Sequence, residues 1–134
     1  MATLRKTMDL PNSSAAVWDV LRDFGGLMRL APGFIAACTL EEDGAVRLVT
    51  FGNGMQLRER LVTLDDEARR LVYTAFGGRT THYNAAAQVI PLEAGRCRFE
   101  WIVDLLPDAL APAIGQMMEL GLEAMRSALT PPGR

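Results

Sequence analysis

The 134-residue sequence is poor in the residues that build the commonest catalytic sites, since it has one histidine and two cysteines. A single histidine excludes metal sites with two or three histidines and leaves one imidazole base for a serine or cysteine nucleophile. The sequence also lacks the run of about 18–20 apolar residues that a membrane-spanning helix needs. Residues 1–10 lack the apolar core of a secretory signal. We therefore expect a cytoplasmic protein with no metal, no cofactor and no membrane insertion.

An excess of positive charge is also missing. The chain has 14 Lys and Arg against 16 Asp and Glu, for a formal net charge of −2. Nucleic-acid binding depends on clustered basic residues that neutralise phosphates, so no nucleic-acid partner is expected. Apolar residues make up 49% of the chain, which at this length is typical of one domain with its own core. Cys38 and Cys97 have no CxxC spacing and are expected to be reduced, buried thiols.

Turn signals divide the chain into a strand, a helical segment, a series of strands and a final helix. The first strand is expected at residues 3–10. Asn12 or Ser13 is expected to cap a helix that includes Phe24 and ends at the glycines at 25 and 26, and residues 27–31 add one more helical turn. Strand-like runs then follow at residues 34–41, 45–51, 55–64, 71–76, 81–90 and 96–105. Their short connections predict an antiparallel meander.

The last helix is expected over residues 108–129, with one polar stripe and a wide apolar face. The polar stripe consists of Gln116, Glu119, Glu123 and Arg126. A face this wide predicts that the helix is buried along most of its length. These elements account for a single domain at residues 1–130, and residues 131–134 are expected to form a frayed tail.

Alternation along the strands places an acidic side chain in the interior. Within residues 55–64, Glu59 shares the apolar face with Leu57 and Leu61. Burying an unpaired carboxylate costs several kcal/mol, so Glu59 needs a partner, a proton or water. Arg47 on the neighbouring strand is a candidate partner. Glu59 is thus interpreted as half of a structural ion pair, as a polar anchor in a ligand cavity, or as a general acid or base.

Small residues on another strand favour a cavity. Ala85 and Ala87 share an inward face with Tyr83, and small inward side chains leave volume that another side chain or a ligand must fill. His82 lies on the opposite face and is expected at the surface. Trp101 faces inward on the last strand, where it either fills the base of the core or stacks on a ligand.

Several short segments are similar to one known superfamily. They are Gly-Phe-Ile-Ala-Ala-Cys at 33–38, Gly-Ala-Val-Arg at 44–47, Glu-Arg-Leu and Leu-Asp-Asp-Glu within 59–67, and Leu-Gly-Leu-Glu at 120–123. Together with the order of elements, they resemble the START-like (SRPBCC) superfamily and its polyketide cyclase/dehydrase-like branch. The resemblance implies an α+β helix-grip fold. In this fold a curved antiparallel sheet of about seven strands wraps a long C-terminal helix, with two short helices after the first strand.

The resemblance also implies a cavity between the sheet and the last helix. By resemblance, the residues that line it are Phe34, Val49, Phe51, Leu57, Glu59, Tyr73, Tyr83, Ala113, Met117 and Gly121. Arg47, as the partner of Glu59, and Trp101 complete the predicted ligand-binding set. The loops after Phe51 and Phe76 are expected to form the mouth. Pro32 stands where the plant hormone receptors of this superfamily carry a ligand-binding lysine, so hormone binding is not expected.

Binding and catalysis both remain open. The first prediction is a binding protein for a small hydrophobic ligand, whether aromatic, polyketide-like or lipid. The alternative is a cyclase or dehydratase in which Glu59 is the acid or base and a tyrosine, with Tyr83 as the candidate, polarises a carbonyl. A third interpretation is an interaction subunit with a vestigial cavity, and a homodimer also stays open. Because the histidine is expected outside the cavity, binding ranks above catalysis.

Overall fold

The computed structural model describes residues 1–130. The elements follow the order β1 (Ala2–Leu10), α1 (Ser14–Leu21), α2 (Leu27–Leu30), β2 (Ile35–Glu41), β3 (Val46–Phe51), β4 (Gln56–Asp65), β5 (Arg70–Phe76), β6 (His82–Pro91), β7 (Cys97–Leu106) and α3 (Ala111–Leu129). Short 3-10 turns at Glu42–Gly44 and Asp108–Leu110 precede β3 and α3. This order confirms the one predicted from the sequence.

The seven strands form one antiparallel sheet in the order β1-β7-β6-β5-β4-β3-β2. From β2 to β7 each strand pairs with the next one in the chain, as short connections require. The first strand joins at the far end of this meander, pairing with β7 from Ala2 opposite Leu105 to Leu10 opposite Cys97. The chain therefore has the α+β helix-grip architecture that was predicted.

The long helix α3 packs on the inner face of the sheet. Its buried residues are Gly115, Met118, Gly121, Leu122 and Met125, and the predicted polar stripe is exposed. Two glycines bring the helix close to the strands. A Cβ on Gly115 would lie 3.9 Å from Leu4 of β1, and one on Gly121 would lie 3.4 Å from Trp101 of β7. The space that remains between α3 and the sheet is where the cavity lies.

The first helix ends earlier than predicted. Ser13 caps α1, as expected, by accepting a hydrogen bond from the Ala16 N–H over 3.2 Å. The helix then ends at Leu21, with Arg22 as its C-cap, instead of continuing to the glycines at 25 and 26. Phe24 consequently lies in the connection to α2 and not in a helix. Outside the helix, its carbonyl oxygen is available to side chains from the sheet.

Three further features bear on the sequence expectations. Cys38 and Cys97 are free thiols, of which Cys97 is buried and Cys38 half-buried. Within residues 1–130, none of the helices combines the length and apolar character needed to cross a membrane. The predicted tail at 131–134 lies outside the described residues.

Candidate ligand-binding cavity

A cavity of about 60 Å³ lies between the sheet, α2 and α3. Its wall is mostly apolar and includes Leu30, Phe34, Val49, Phe51, Leu71, Phe99 and Met125. One water needs only about 10–15 Å³ of such volume, so the cavity has room for a few waters or a very small molecule. Sites that enclose drug-sized ligands measure about 300–1,000 Å³. A ligand of that size therefore requires some wall side chains to move.

Ten of the twelve residues predicted to bind a ligand line this cavity. They are Phe34, Arg47, Val49, Phe51, Glu59, Tyr73, Tyr83, Trp101, Met117 and Gly121. They come from β3 to β7, from α3 and from the residue before β2, so the fold brings together side chains that are far apart in the sequence.

Leu57 and Ala113 were predicted for the wall, but the structure places both outside it. Leu57 lies against the loop between β5 and β6, where a Cβ on Gly78 would be 2.8 Å from Leu57 Cδ1. Ala113 is exposed near the start of α3. Each four-residue step along an α-helix turns by about 40°. Ala113 is thus rotated by about 80° from Gly121, which does line the cavity.

Arg47 and Glu59 form a buried ion pair in the wall. They are direct neighbours across β3 and β4, and Arg47 Nε donates to Glu59 Oε1 over 2.7 Å. Their side chains are 3% and 8% exposed. The expected pairing of Glu59 with Arg47 is thus observed, and the pair also borders the cavity. The negative charge of Glu59 is thus compensated by Arg47, and the Glu59 side chain still borders the cavity.

Three further contacts hold the Arg47 guanidinium. Its Nη1 donates to the carbonyl oxygen of Phe24 over 3.2 Å. Its Cζ lies 4.1 Å from the centre of the Phe24 ring and 5.0 Å from that of Tyr73. Aromatic faces attract cations at such distances, so the guanidinium is fixed between two rings. Phe24 could not be recognised from the sequence as a partner of Arg47, because its contacts depend on where α1 ends.

Tyr73 of β5 and Tyr83 of β6 bring two hydroxyls to the same part of the wall. Each residue is only 5% exposed. Burial is the largest cause that raises the pKa of both phenols, and the charge of Glu59 raises the pKa of each further. A phenol is protonated at neutral pH even at its ordinary pKa of about 10, and these shifts extend that state to higher pH, so each hydroxyl can donate a hydrogen bond.

Trp101 presents both its ring and an unpaired donor. The ring lines the cavity and is tilted against Phe99, with 6.3 Å between ring centroids. The indole Nε1 is buried and has no hydrogen-bond partner within residues 1–130. Burial raises the pKa of Tyr73, and the nearby Trp101 indole acts in the opposite direction, although its geometry falls short of a hydrogen bond. A buried donor without a hydrogen-bond partner lowers the stability of the folded protein by about 1–3 kcal/mol.

The single histidine has no part in the cavity. His82 is exposed on β6, as predicted. The described part of the chain contains no group of three or more His, Cys, Asp or Glu side chains that could hold a metal ion. The charged and hydroxyl side chains in the wall are Arg47, Glu59, Tyr73 and Tyr83.

The helical cover of the cavity was not predicted. Leu21 at the end of α1 and Leu27 and Leu30 of α2 all line it. With only four residues, α2 is too short to show a helical period in the sequence. Of its four residues Leu30 alone is buried, and α2 packs against α1, β2 and α3.

Comparison with known families and structures agrees with this geometry. A family model described as polyketide cyclase / dehydrase and lipid transport matches residues 1–130. None of the curated protein sequences compared with the chain matches it. The chain is similar to a Thermobifida fusca protein whose structure was solved by NMR in solution. The two are 32% identical with a TM-score of 0.78, over 94% of this chain and 91% of that one.

Two further solved structures share the fold at lower identity. The di-domain ARO/CYC protein BexL of the BE-7585A biosynthetic pathway is 13% identical, with a TM-score of 0.83 over 96% of this chain and 46% of that one. A truncated norcoclaurine synthase from Thalictrum flavum is 19% identical, with a TM-score of 0.73 over 96% and 90% of the two chains. At these identities the similarity shows a common fold and nothing about the ligand.

Proposed function

The chain belongs to the polyketide cyclase/dehydrase and lipid transport family, and from its cavity we propose that it binds a small, mostly apolar molecule with one uncharged oxygen group. The observation that carries this proposal is the grouping of polar side chains in an otherwise apolar wall. Arg47 contacts both Glu59 and the ring of Tyr73, and Tyr83 lies beside Tyr73. Apart from the indole N–H of Trp101, the rest of the wall offers only apolar contact to a ligand.

Protonated donors favour a hydrogen-bond acceptor on the ligand. Tyr73 and Tyr83 are protonated at neutral pH, as a phenol with its ordinary pKa of about 10 is, and burial raises the pKa of each further from neutrality. The indole of Trp101 also lacks a partner. A carbonyl or hydroxyl oxygen of a ligand is the group that such donors bind. We therefore expect a ketone or phenol to bind better than a hydrocarbon of the same shape.

The ion pair argues against an anionic ligand. Arg47 already donates to Glu59 and to the carbonyl oxygen of Phe24, so its positive charge is compensated. A ligand carboxylate placed here would lose its hydration and face the negative charge of Glu59. The cavity is thus suited to a neutral ligand, whose apolar part is held by burial at about 25 cal/mol per Å².

Three related probes test the proposal by calorimetry. Acetophenone carries a carbonyl, ethylbenzene has the same carbon skeleton without an acceptor, and benzoate carries a charge. We expect acetophenone to bind most tightly and benzoate most weakly. Native mass spectrometry of the freshly purified protein should also reveal a retained molecule of the same neutral, apolar class.

Two neighbouring alanines provide a matched pair of variants. Ala87 lines the cavity, whereas Ala86, the next residue of β6, lies on the opposite face of the sheet. Ala87→Leu is expected to abolish acetophenone binding because the larger side chain occupies the cavity. Ala86→Leu should bind as the wild type does. Equal binding by both variants, or no binding of acetophenone by the wild type, would contradict the proposal.

A second candidate function is a cyclase or dehydratase, and one observation favours it. Glu59 is a buried carboxylate in the cavity wall, close to two protonated phenols. In such an enzyme Glu59 would transfer a proton while Tyr83 donates to the carbonyl oxygen of the substrate. It ranks second because Arg47 already occupies one Glu59 oxygen. A cyclisation rate on a polyketide-like substrate that is unchanged in Glu59→Gln would contradict this mechanism.

A further inference from the structure

We infer that the ligand site continues past Phe34 into a surface groove, so that the protein binds an elongated ligand with a compact polar head and an apolar chain. The head lies in the inner cavity beside the tyrosines, and the chain lies outside along α3. This inference rests on the proposed function and adds the shape of the ligand to it.

The groove lies between the residues before β2 and the C-terminal half of α3. The groove is open to solvent over much of its extent and has a volume of about 480 Å³. Its apolar walls are formed by Pro32, Phe34, Leu120, Ala124 and Ala128. Leu120 is 63% exposed, so the groove offers apolar surface that the fold itself does not cover.

The ring of Phe34 separates the two spaces. Phe34 lines both the inner cavity and the groove. Its ring packs edge-on against Phe51, with 5.5 Å between centroids. On its other side, a Cβ on Gly121 would lie 3.3 Å from Phe34 Cε2. Because the ring fills the gap between β3 and α3, its rotation joins the cavity to the groove.

The backbone around Phe34 is fixed, so the opening is a side-chain movement. The carbonyl oxygen of Phe34 accepts a hydrogen bond from the Gly52 N–H over 2.9 Å, and the Ile35 N–H donates to the carbonyl of Ala31 over 3.0 Å. Phe34 is only half-buried, so its ring has free space on one side into which it can rotate. Ring rotation is a smaller change than the displacement of a loop.

The size and charge of the two spaces point to an apolar chain as the occupant of the groove. The inner cavity alone is smaller than sites of about 300–1,000 Å³ that enclose drug-sized ligands, so a longer ligand must extend beyond it, and the groove is the neighbouring apolar space that shares Phe34 with it. The groove is continuous with the cavity once Phe34 turns. Glu123 is the one charged residue among those that line the groove, so an uncharged chain fits better than a polar peptide.

A series of phenyl ketones, from acetophenone to octanophenone, tests this inference by calorimetry. In the wild type, each added methylene that becomes buried should tighten binding about fourfold. Ala128→Trp fills the groove from an exposed position on α3, and the gain per methylene is expected to disappear. Gln116→Trp places the same side chain on the exposed stripe of α3 outside the groove, and the gain should persist.

Three results would overturn the inference. The first is a wild type that binds acetophenone but gains nothing from a longer chain. The second is an undiminished gain in Ala128→Trp. The third is a dimer that Ala128→Trp dissociates in sedimentation experiments while all ketones weaken equally, since a second copy would then cover the groove. If acetophenone itself does not bind, the proposed function fails and this inference fails with it.

Discussion

Arg47 of β3 bonds both to Glu59 on the neighbouring strand and to the backbone carbonyl of Phe24, so one side chain connects the sheet to the segment that follows α1. The guanidinium also lies between the rings of Phe24 and Tyr73. The position of the helical cover over the cavity therefore depends on a charged group inside the wall. A change in this pair affects both stability and the shape of the cavity.

Removal of one member of the pair should be far more harmful than removal of both. Glu59→Leu leaves the Arg47 guanidinium buried without its carboxylate, and we expect a loss of about 3–5 kcal/mol in the free energy of unfolding. The double variant Arg47→Met with Glu59→Leu should lose less than Glu59→Leu alone. Urea denaturation measures both. Glu41→Leu, which removes the partner of the exposed Arg58, is the control and should have a much smaller effect.

The two tyrosines should not ionise in the folded protein near their ordinary pKa of 10. Burial, as the largest cause, raises the pKa of Tyr73 and Tyr83. A group whose pKa is higher in the folded state contributes stability that is complete below its unfolded pKa and is lost as pH rises above it. Stability should therefore fall above about pH 10.

Absorbance of phenolate at 295 nm checks this prediction directly, because the chain contains only these two tyrosines. We expect both to ionise in one step together with alkaline unfolding, which circular dichroism follows in parallel. Tyr73→Phe and Tyr83→Phe should each halve the absorbance step and move unfolding to higher pH. A gradual titration centred near pH 10 in folded protein would show that the phenols are accessible to solvent.

Two buried glycines of α3 should respond differently to alanine. Gly115→Ala is expected to raise the free energy of unfolding by about 0.5–1 kcal/mol, because alanine favours helix and its Cβ would lie at an ordinary 3.9 Å from Leu4. Gly121→Ala gains the same helix propensity, but its Cβ would lie 3.3 Å from Phe34 Cε2. We therefore expect a smaller gain at position 121.

The same pair of variants separates packing from ligand binding. Gly121→Ala should weaken acetophenone binding, because Gly121 lines the cavity and Gly115 does not. Thermal denaturation and calorimetry on the two variants provide the comparison. If acetophenone binds equally to both, Gly121 has no part in the ligand site.

The tyrosine hydroxyls should account for the preference for a carbonyl. In Tyr83→Phe we expect acetophenone to lose about 0.5–1.5 kcal/mol of binding free energy, the usual value of one hydrogen bond. Ethylbenzene has no acceptor, so its affinity should not change. Asn84→Ala, at the next position of β6 and on the opposite face, is the control. Equal losses for both ligands would indicate a change of shape and not of hydrogen bonding.

Strand alternation predicted the polar part of the cavity well. It placed Glu59 on an inward face and assigned Arg47 as its partner, and the two are paired across β3 and β4. The prediction succeeded because successive side chains of a strand point to opposite faces, so the face of one residue follows from those of its neighbours in the sequence. The resemblance implied that Leu57 lines the cavity, and alternation gave only its face, because alternation does not show how far along a strand the cavity extends.

The contacts of Phe24 and the end of α1 could not be predicted in the same way. Helical spacing favoured a helix that includes Phe24, but α1 ends at Leu21. Trp18 and Arg22 both donate to Asp66, at 2.8 and 2.7 Å, in the turn after β4. That residue lies more than forty positions further along the chain. A helix end held by such distant contacts leaves no trace in the local sequence.

The sheet order also determines when the cavity comes into existence during folding. Its lining runs from Leu21 to Met125, and the pairing of Ala2 with Leu105 closes a loop of roughly 100 residues. Contacts at such separations form late, because the entropy of the intervening chain must be lost first. On the ribosome, β2 to β6 can pair in succession, but β1 stays without its partner strand until β7 emerges. The nascent chain therefore cannot enclose a ligand before α3 is made. Ligand binding is thus expected only after the whole domain has been synthesised and folded.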